Sequence, residues 1–374
     1  MRDFLTFKSG KFYFSEQYDH TRISGLLIHA TILNETIADL PILPALASSL
    51  EPDIMYSSIS GTAAIEGNPI SREDVKKIAE GQDIKEYSKK DKQEILNLLE
   101  AYNMLTGFNV SSTPQTLSEA IICDLHKIIT HKVPHEHNIP GQYRNGTVHV
   151  GDKAHGGIYS PPKISADIKN LMEVFIEWIN SAEILALNPF IRAALAHYHL
   201  CIIHPFWDGN GRTARLIEAL VLQTANIKYM PRELSNYYYK NVDDYYTAFS
   251  KSINEKNITP FIEFYLKAVI ESLTKIKELI FYFIRIFSLK DYYKQKNRQR
   301  KITKRQLDLL NLLTDFSTNT FFTLKDLSMT PPFSLLYRDV STQTARRDLA
   351  KLSSLNLLTM ADKRQYRLNL RVLG

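Results

Sequence analysis

Apolar residues recur every three or four positions along most of the chain, which is the spacing of helices that bury one face against a core. The pattern is clearest on both sides of one polar stretch, at residues 189–203 and 216–225. Apolar spacing and helix start and stop signals also predict helices around residues 26–33, 51–66, 94–104, 116–131, 166–179 and 260–295, and a helix that starts at Ser71. We therefore expect a mainly helical protein.

The polar stretch has the sequence HPFWDGNGRTAR, residues 204–215. Gly209 and Gly211 allow the backbone to point successive N–H groups inward, and the helix that follows adds the positive end of its dipole. Arg212 and Arg215 are three residues apart on that helix, so they share a face suited to phosphate oxygens. The stretch is therefore built to bind an anion.

Two further side chains of the stretch suit phosphate transfer. Asp208 is a hard carboxylate of the kind that holds Mg²⁺ beside phosphates. His204 has an ordinary pKa near neutrality and can take a proton from an attacking hydroxyl. The alternative is a glycine turn that joins two core helices, with both arginines in surface salt bridges. Because most of the twelve positions have a role in one reaction scheme, we favour a site for a nucleotide, a metal ion and a general base.

The stretch resembles the Fic family motif, H-P-F-x-[D/E]-G-N-G-R-x-x-R, and matches it at every specified position. The resemblance implies a mainly helical enzyme that moves AMP from ATP onto a hydroxyl side chain of a target protein. It makes His204 the general base and Asp208 the Mg²⁺ ligand. The implied ATP contacts are Gly209, Asn210, Gly211, Arg212, Thr213, Ala214 and Arg215. The kinase-like Doc branch usually has lysine at position 211, so Gly211 favours AMP transfer over phosphate transfer.

A second segment, Thr62–Gly67 (TAAIEG), ends the predicted helix of residues 51–66, which the following Asn68-Pro69 would stop. By itself, Glu66 is an acid in the last turn of a helix, and most such residues are simply solvated. The segment resembles the inhibitory motif [S/T]-x-x-x-E-[G/N] of many Fic proteins. The resemblance implies that Glu66 pairs with Arg215 and occupies the guanidinium that should hold the γ-phosphate of ATP.

Residues 142–150 (QYRNGTVHV) place Asn145-Gly146, the preferred two-residue hairpin turn, between two β-prone runs. The exposed edge of such a hairpin can receive an extended peptide, although an ordinary surface hairpin is the alternative. The Fic resemblance implies a flap at this place that aligns the target protein. Its main-chain docking residues would be Arg144, Asn145, Gly146, Thr147, Val148 and His149.

Adenine needs a flat apolar wall, and residues 235–253 contain five tyrosines, most of which we expect in the core. The segment NVDDYY, residues 241–246, resembles the part of Fic proteins that contacts the base. This resemblance favours Tyr246 as the adenine contact over Tyr245.

The composition of the 374 residues, 44% hydrophobic and 23% charged, is that of a soluble globular protein with two or three domains. Neither the two cysteines, Cys123 and Cys201, nor the histidines of residues 126–155 have the spacing of a metal site. We expect both cysteines to be buried reduced thiols, which suits a cytoplasmic protein. The N-terminus lacks the apolar core of a signal peptide, and the apolar run 279–289 is too short to span a bilayer, which takes about 20 residues.

The C-terminal residues carry an uneven share of the formal charge of +6. From Asp291 onward there are 16 Lys and Arg against 7 Asp, a net charge of +9, which leaves the remainder at −3. Predicted helices at residues 304–315, 324–327 and 341–355, followed by a β-wing at residues 362–369, resemble a winged helix-turn-helix. Candidate DNA contacts are Gln343, Thr344, Arg346 and Arg347, with Lys363, Arg364 and Arg367 on the wing. A protein-docking or dimerising module is the alternative.

We therefore expect a Fic-type helical core with a β-hairpin flap and a C-terminal winged helix-turn-helix domain. The predicted regions are an N-terminal helical region with the inhibitory motif (1–110), the catalytic core (111–255), a helical linker (256–300) and the winged helix (301–374). The predicted function is a protein adenylyltransferase that uses ATP and Mg²⁺, modifies a Ser, Thr or Tyr of a target protein and of itself, and is inhibited by Glu66. Two other functions stay open: removal of AMP assisted by Glu66, and a DNA-binding regulator whose Fic domain senses nucleotide. A homodimer also stays open.

Overall fold

The computed structural model describes residues 2–40, 42, 44–108, 116–316, 321–361 and 365–373. It forms two compact units, Met1–Lys277 and Glu278–Gly374. Helices dominate both units, so the prediction of a mainly helical protein is confirmed. In the described ranges, no helix has the length and apolar character needed to cross a membrane.

The first unit is built from eleven described helices and the first part of a twelfth. They are α1 (His20–Ala38), α2 (Pro44–Ile65), α3 (Arg72–Ala79), α4 (Lys89–Thr106), α5 (Glu119–Ile129), α6 (Ser165–Ile179), α7 (Ala182–Leu185), α8 (Pro189–Ile203), α9 (Asn210–Thr224), α10 (Leu234–Lys240), α11 (Val242–Glu255) and α12 (Thr259–Arg298), which continues into the second unit.

Two adjacent helices, α8 and α9, form the centre of the first unit. Almost every residue of both is buried, as expected for helices surrounded by other elements. The start of α8 is set locally, because Pro189 occupies the first turn and the Asn188 side chain accepts a hydrogen bond from the Phe190 amide. The polar stretch joins these two buried helices, so the core fixes both of its ends.

Helix α2 carries the Thr62–Gly67 segment along the edge of this core. It starts at Pro44, earlier than the pattern predicted, and contains Pro52. It ends where Gly67 adopts a positive φ of 86°. Gly61 faces α10 so closely that a Cβ there would lie 2.8 Å from Oδ1 of Asn236. The small residues of α2 therefore allow close packing against α10.

The prediction of a hairpin that turns at Asn145-Gly146 is wrong. Residues 142–149 form no strand, so Asn145-Gly146 does not connect two paired strands. Instead Val150 pairs with Tyr159 in one antiparallel bridge, with N···O distances of 2.9 and 2.8 Å. The flap is thus a wide loop closed at residues 150 and 159.

A short N-terminal hairpin was not expected from the pattern. Strands β1 (Arg2–Leu5) and β2 (Lys11–Phe14) pair antiparallel, and the Asp167 carboxylate accepts hydrogen bonds from the amides of residues 7–9 in their connection. A long-range contact therefore fixes this turn. The tyrosine-rich segment farther along the chain forms two helices, α10 and α11, which meet at Asn241.

The second unit has its own core, formed by the end of α12 and six further elements. These are α13 (Lys304–Phe316), α14 (Leu324–Met329), α15 (Phe333–Leu336), α16 (Thr342–Ser354), β3 (Leu358–Ala361) and β4 (Gln365–Leu368). The two strands pair antiparallel. Lys363 and Arg364 lie outside the described residues. The winged helix-turn-helix assignment and the bounds of the four predicted regions stay predictions.

Candidate active site

The polar stretch forms a tight loop between α8 and α9. His204 ends α8 with a left-handed φ of 51°, and Gly209 precedes α9 with a φ of 76°. The Asn210 side chain spans the loop, because its Oδ1 accepts from the Phe206 amide and its Nδ2 donates to the Phe206 carbonyl, both at 2.9 Å. Asn210 is buried, so its side chain shapes the loop from inside.

His204 is placed to accept a proton. Its Nδ1 lies 3.2 Å from the Cys201 carbonyl, which can only accept, so Nδ1 carries the proton and Nε2 has a free lone pair. Burial lowers the pKa of His204 to about 4. The ring lines a cavity and is neutral at physiological pH, as a general base requires.

Arg144 holds the backbone at His204 in place through hydrogen bonds to main-chain carbonyls. Its Nε donates to the His204 carbonyl at 2.7 Å, and its amide donates to the Pro205 carbonyl at 2.9 Å. The side chain is fully buried and the amide already donates within the chain, so this amide is not free for the main-chain docking expected of Arg144. Next to it, Gly146 packs on Trp207, where a Cβ would lie 2.5 Å from the nearest ring carbon.

His126 also supports the loop, a role that the sequence did not indicate. Its ring stacks on Phe206 with centroids 3.6 Å apart. Its Nδ1 accepts from the Gly141 amide at 2.9 Å, which leaves Nε2–H to donate to the Asp208 carbonyl at 3.0 Å. Burial lowers the pKa of His126 to about 4. His126 is therefore a neutral support for the loop, and nothing in its spacing signals this contact.

Asp208 and Arg212 form an ion pair at the start of α9. Oδ2 of Asp208 lies 3.0 Å from Nη2 of Arg212, while its Oδ1 accepts from the Gly209 amide at 2.7 Å. Burial raises the pKa of Asp208, but Arg212 and the Gly209 amide outweigh it, so this pKa lies below its usual range. Glu94 of α4 lies 3.8 Å from Arg212 on the other side.

A magnesium ion fits this arrangement only as part of a nucleotide complex. The described residues contain no group of three His, Cys, Asp or Glu side chains placed to hold a metal. Mg²⁺ commonly uses one or two carboxylates together with substrate phosphates and water, so a single ionised Asp208 suits Mg²⁺ bound to ATP.

Arg215 and the Thr62–Gly67 segment are in direct contact. Nη2 of Arg215 lies 2.6 Å from Oε1 of Glu66, and its Nε donates to Oγ1 of Thr62 at 2.7 Å. The Arg215 side chain is 2% exposed and that of Glu66 is 31% exposed. Gly211 leaves room for the pair, since a Cβ there would lie 2.8 Å from the same Glu66 oxygen.

These groups border a cavity of about 710 Å³, within the usual range for small-molecule sites of roughly 300–1,000 Å³. Of the residues expected at the site, it is lined by Glu66, His149, His204, Gly211, Arg215, Tyr245 and Tyr246. The cavity lining does not include the other residues expected to contact ATP or Mg²⁺, which are Asp208, Gly209, Asn210, Arg212, Thr213 and Ala214. Thr213 and Ala214 are buried in α9, where Oγ1 of Thr213 donates to the Gly209 carbonyl. Contact of these six residues with ATP or Mg²⁺ stays a prediction.

The two tyrosines of the cavity differ in environment. Tyr245 is buried and its hydroxyl lies 2.9 Å from Nε2 of His197. Tyr246 is partly exposed, and its ring meets the edge of the His155 ring with centroids 5.4 Å apart. His155 also lies 2.9 Å from Asp152 and 3.0 Å from Asp243, so it links the flap loop to α11.

Part of the chain matches a known family and curated proteins in sequence. Residues 116–222 match the model of the Fic/DOC family. Over 218 residues, 56% of this chain, the sequence is 33% identical to the protein adenylyltransferase Fic of Drosophila erecta and to that of Drosophila yakuba. The match covers 39% of each of those proteins, so the chain spans about two fifths of their length.

Solved structures share the fold at low sequence identity. A Fic family protein from Desulfovibrio desulfuricans G20 superposes with a TM-score of 0.60 at 18% identity, over 95% of this chain and 98% of its own. Fic-1 from C. elegans gives 0.56 at 23% identity, over 70% and 73% of the two chains.

The helical fold is that of the Fic structures, and the loop of residues 204–215 lies within the part of the chain that matches the family model. Residues 116–222 of this chain form a Fic/DOC family domain, which confirms the resemblance of the HPFWDGNGRTAR stretch.

Proposed function

We propose that the chain is a protein adenylyltransferase, held inactive by Glu66, that transfers AMP from ATP to a hydroxyl group of a target protein. One observation carries this proposal: a single cavity is lined by a neutral His204, the glycine loop at Gly211 and a buried Arg215. The names of the Drosophila relatives support the same reaction.

Each residue has a separate role in the proposed reaction. His204 takes the proton of a Ser, Thr or Tyr hydroxyl as its oxygen attacks the α-phosphorus of ATP. The bond between the α-phosphorus and the bridging oxygen breaks, and pyrophosphate leaves with its charge stabilised by Arg212 and Arg215. Asp208 would hold Mg²⁺, which would neutralise phosphate charge when bound. The partly exposed ring of Tyr246 provides the flat wall for adenine.

The inhibition is a competition for Arg215. A guanidinium that is almost fully buried needs a counter-ion, and Glu66 supplies it at 2.6 Å. The γ-phosphate of ATP would have to replace this carboxylate or bind elsewhere in the cavity. Because Glu66 is negative and borders the cavity, it also repels the triphosphate.

The target protein would dock on the part of the flap whose main-chain amides are free. Within the described ranges, the amides of residues 147–149 donate no backbone hydrogen bond. An extended target segment could pair with them beside His204, since His149 lines the same cavity.

The reaction type is tested by labelling with ATP that is radioactive at either the α- or the γ-phosphate. The Glu66→Gly protein should transfer the α-label to protein in a lysate and to itself, and should transfer no γ-label. Adding His204→Ala should abolish the transfer while the melting temperature stays within a few degrees. Transfer of the γ-label, or full activity of folded His204→Ala protein, would overturn the proposal.

Removal of AMP is the alternative reaction of the same site. The purified product of the labelling reaction, incubated with wild-type protein, should keep its label if transfer is the main activity. Rapid release of AMP that disappears in Glu66→Gly would assign that activity to Glu66 instead.

A further inference from the structure

The end of α2, which carries Glu66, is closed by a hydrogen-bonded turn. The Gly67 amide donates to the Ala64 carbonyl and the Asn68 amide donates to the Ala63 carbonyl, both at 3.0 Å. Together with the positive φ of Gly67, these two bonds form a Schellman motif, which satisfies carbonyl groups at the end of a helix. The backbone of Asn68 is therefore fixed to the same turn that places the Glu66 carboxylate.

The side chain of Asn68 ties this turn to α4. It is 5% exposed, and its Nδ2 donates to Oε2 of Glu94 at 2.8 Å and to the Asp91 carbonyl at 3.1 Å. Its Oδ1 accepts from the Ile70 amide at 3.1 Å. Both polar atoms of this amide thus have partners, and the three bonds together fix its orientation.

Glu94 in turn depends on Asn68. Its carboxylate lies 3.8 Å from Nη1 of Arg212 and 3.9 Å from Nζ of Lys90, both beyond hydrogen-bonding distance. Among the described residues, Asn68 therefore makes its shortest polar contact. Because a buried carboxylate needs a donor to offset its loss of hydration, separating Asn68 from α4 would be unfavourable.

We propose that Asn68, anchored on Glu94, is a positioning residue that holds Glu66 against Arg215 and so keeps the site inhibited. This inference rests on the proposed inhibition by Glu66. Neither Asn68 nor Glu94 is among the described residues that line the cavity, so nucleotide does not compete for this anchor as it would for Glu66. Without the anchor, the end of α2 would leave Arg215 more often, and the basal rate of AMP transfer would rise.

Asn68→Asp tests the anchor with little change in shape. The new carboxylate still accepts from the Ile70 amide, but it cannot donate, and it adds a second negative charge beside Glu94. We define the inhibition factor of a protein as the rate of AMP transfer with Glu66→Gly divided by the rate with Glu66 present. Asn68→Asp should lower this factor at least about threefold, because a buried hydrogen bond to a charged group is lost.

A reciprocal exchange provides the rescue variant. When Glu94→Gln is added to Asn68→Asp, an amide donor faces a carboxylate acceptor, so the hydrogen bond can form again in the opposite direction and the net charge is that of the wild type. Part of the lost inhibition should return. The recovery should be incomplete, because the Asp91 carbonyl still lacks its donor.

Asn97 of α4 provides a matched control. It is 1% exposed, and its Nδ2 donates to the carbonyls of Ile129 and His131 at 3.2 and 2.7 Å, so it ties α4 to the end of α5 and not to α2. Asn97→Ala removes a buried amide anchor of the same kind. Because this site is independent of Glu66, the inhibition factor should stay within about twofold, even where both rates fall.

The experiment measures initial rates of transfer from α-labelled ATP by the full chain, with melting curves to confirm that each variant is folded. A lower inhibition factor in Asn68→Asp, its partial recovery with Glu94→Gln and an unchanged factor in Asn97→Ala support the proposal. An unchanged factor in Asn68→Asp, no recovery in the double variant, or an equal fall in Asn97→Ala overturns it.

Asn68→Ala is the second variant, because it removes the donor without adding a charge. It should lower the inhibition factor in the same direction, and an unchanged factor in this folded protein also overturns the proposal. If Glu66→Gly is no faster than wild type, the proposed inhibition itself fails, and the inference falls with it. A faster Glu66→Gly protein with no effect of either Asn68 variant rejects the inference alone.

Discussion

Two residues of one short segment contact the same guanidinium. Thr62 accepts from Nε of Arg215 and Glu66 pairs with its Nη2, so the buried charge is satisfied in the absence of nucleotide. Gly211 makes this possible, because any side chain there would meet the Glu66 carboxylate. The contact of Glu66 with Arg215 and the loop at Gly211 therefore constrain the same few atoms.

The state of His204 leads to a prediction about pH. Its pKa is lowered to about 4, so the neutral form that accepts a proton persists well below pH 6.5, and is lost only as the pH falls through about 4. We expect kcat/KM of the Glu66→Gly protein to stay nearly constant from about pH 7.5 down to 5.5.

Initial rates of AMP transfer across this range test the prediction, with melting temperatures at each pH as the control for unfolding. A loss of activity centred near pH 6.5, without a change in melting temperature, would show that His204 has an ordinary pKa.

At the scale of elements, the packing of α2 on α10 decides where Glu66 lies. Gly61 has no room for a Cβ beside Asn236 and Ser235, with distances of 2.8 and 2.9 Å. Gly61→Ala should therefore push α2 outward and lower the free energy of unfolding by about 1–3 kcal/mol. Because Thr62 and Glu66 move with the helix, basal AMP transfer should rise.

Gly25 of α1 is the matched control for this substitution, since no atom of the described residues lies within 4 Å of a Cβ built there. Gly25→Ala should raise the free energy of unfolding by about 0.5–1 kcal/mol through helix propensity and leave AMP transfer unchanged. Chemical denaturation together with transfer assays measures both effects. Equal stability of the two variants would contradict the packing argument.

The elements that could be predicted are those with strong local signals. Helix α8 has the predicted bounds, because Asn188 caps it and Pro189 starts it. The predicted turn at Asn145-Gly146 does not form, because tertiary contacts outweigh its turn propensity. Arg144 donates to the His204 carbonyl, and Gly146 packs on Trp207. The break at Asn241 gave no sequence signal.

The residues of the site also divide into those that the sequence predicts and those that only the structure reveals. The residues of the phosphate loop are contiguous, so their proximity follows from the sequence. The supports of the loop, His126 and Arg144, come from distant segments and act through carbonyl groups, which no residue pattern reports. The buried contacts of His197 with Glu218 and Tyr245 join helices α8, α9 and α11, and no pattern in the sequence indicated them.

At the scale of the whole molecule, the second unit carries the basic C-terminal residues. On α16, Gln343, Arg346 and Arg347 are exposed, whereas Asp348 is buried and pairs with Arg305 at 2.7 Å. This leaves the positive face of the helix directed to solvent, as an electrostatic contact with DNA requires. We propose that this face binds duplex DNA.

Binding of the full chain to a labelled duplex, measured at several salt concentrations, tests this proposal. Arg346→Ala with Arg347→Ala should weaken binding and lower the salt slope by about 2, one for each lost phosphate contact. Arg72→Ala, which removes an exposed arginine of the first unit, is the control. Binding that is absent at low salt, or equal in all three proteins, would favour a protein partner for the second unit.

In the proposed function, the ion pair between Glu66 and Arg215 holds a competent transfer site inactive. The most direct measurement is the initial rate of AMP transfer from α-labelled ATP by wild-type and Glu66→Gly protein under identical conditions. We predict a rate at least about tenfold higher for Glu66→Gly, corresponding to about 1.4 kcal/mol released at Arg215. Equal rates in the two folded proteins would contradict the account.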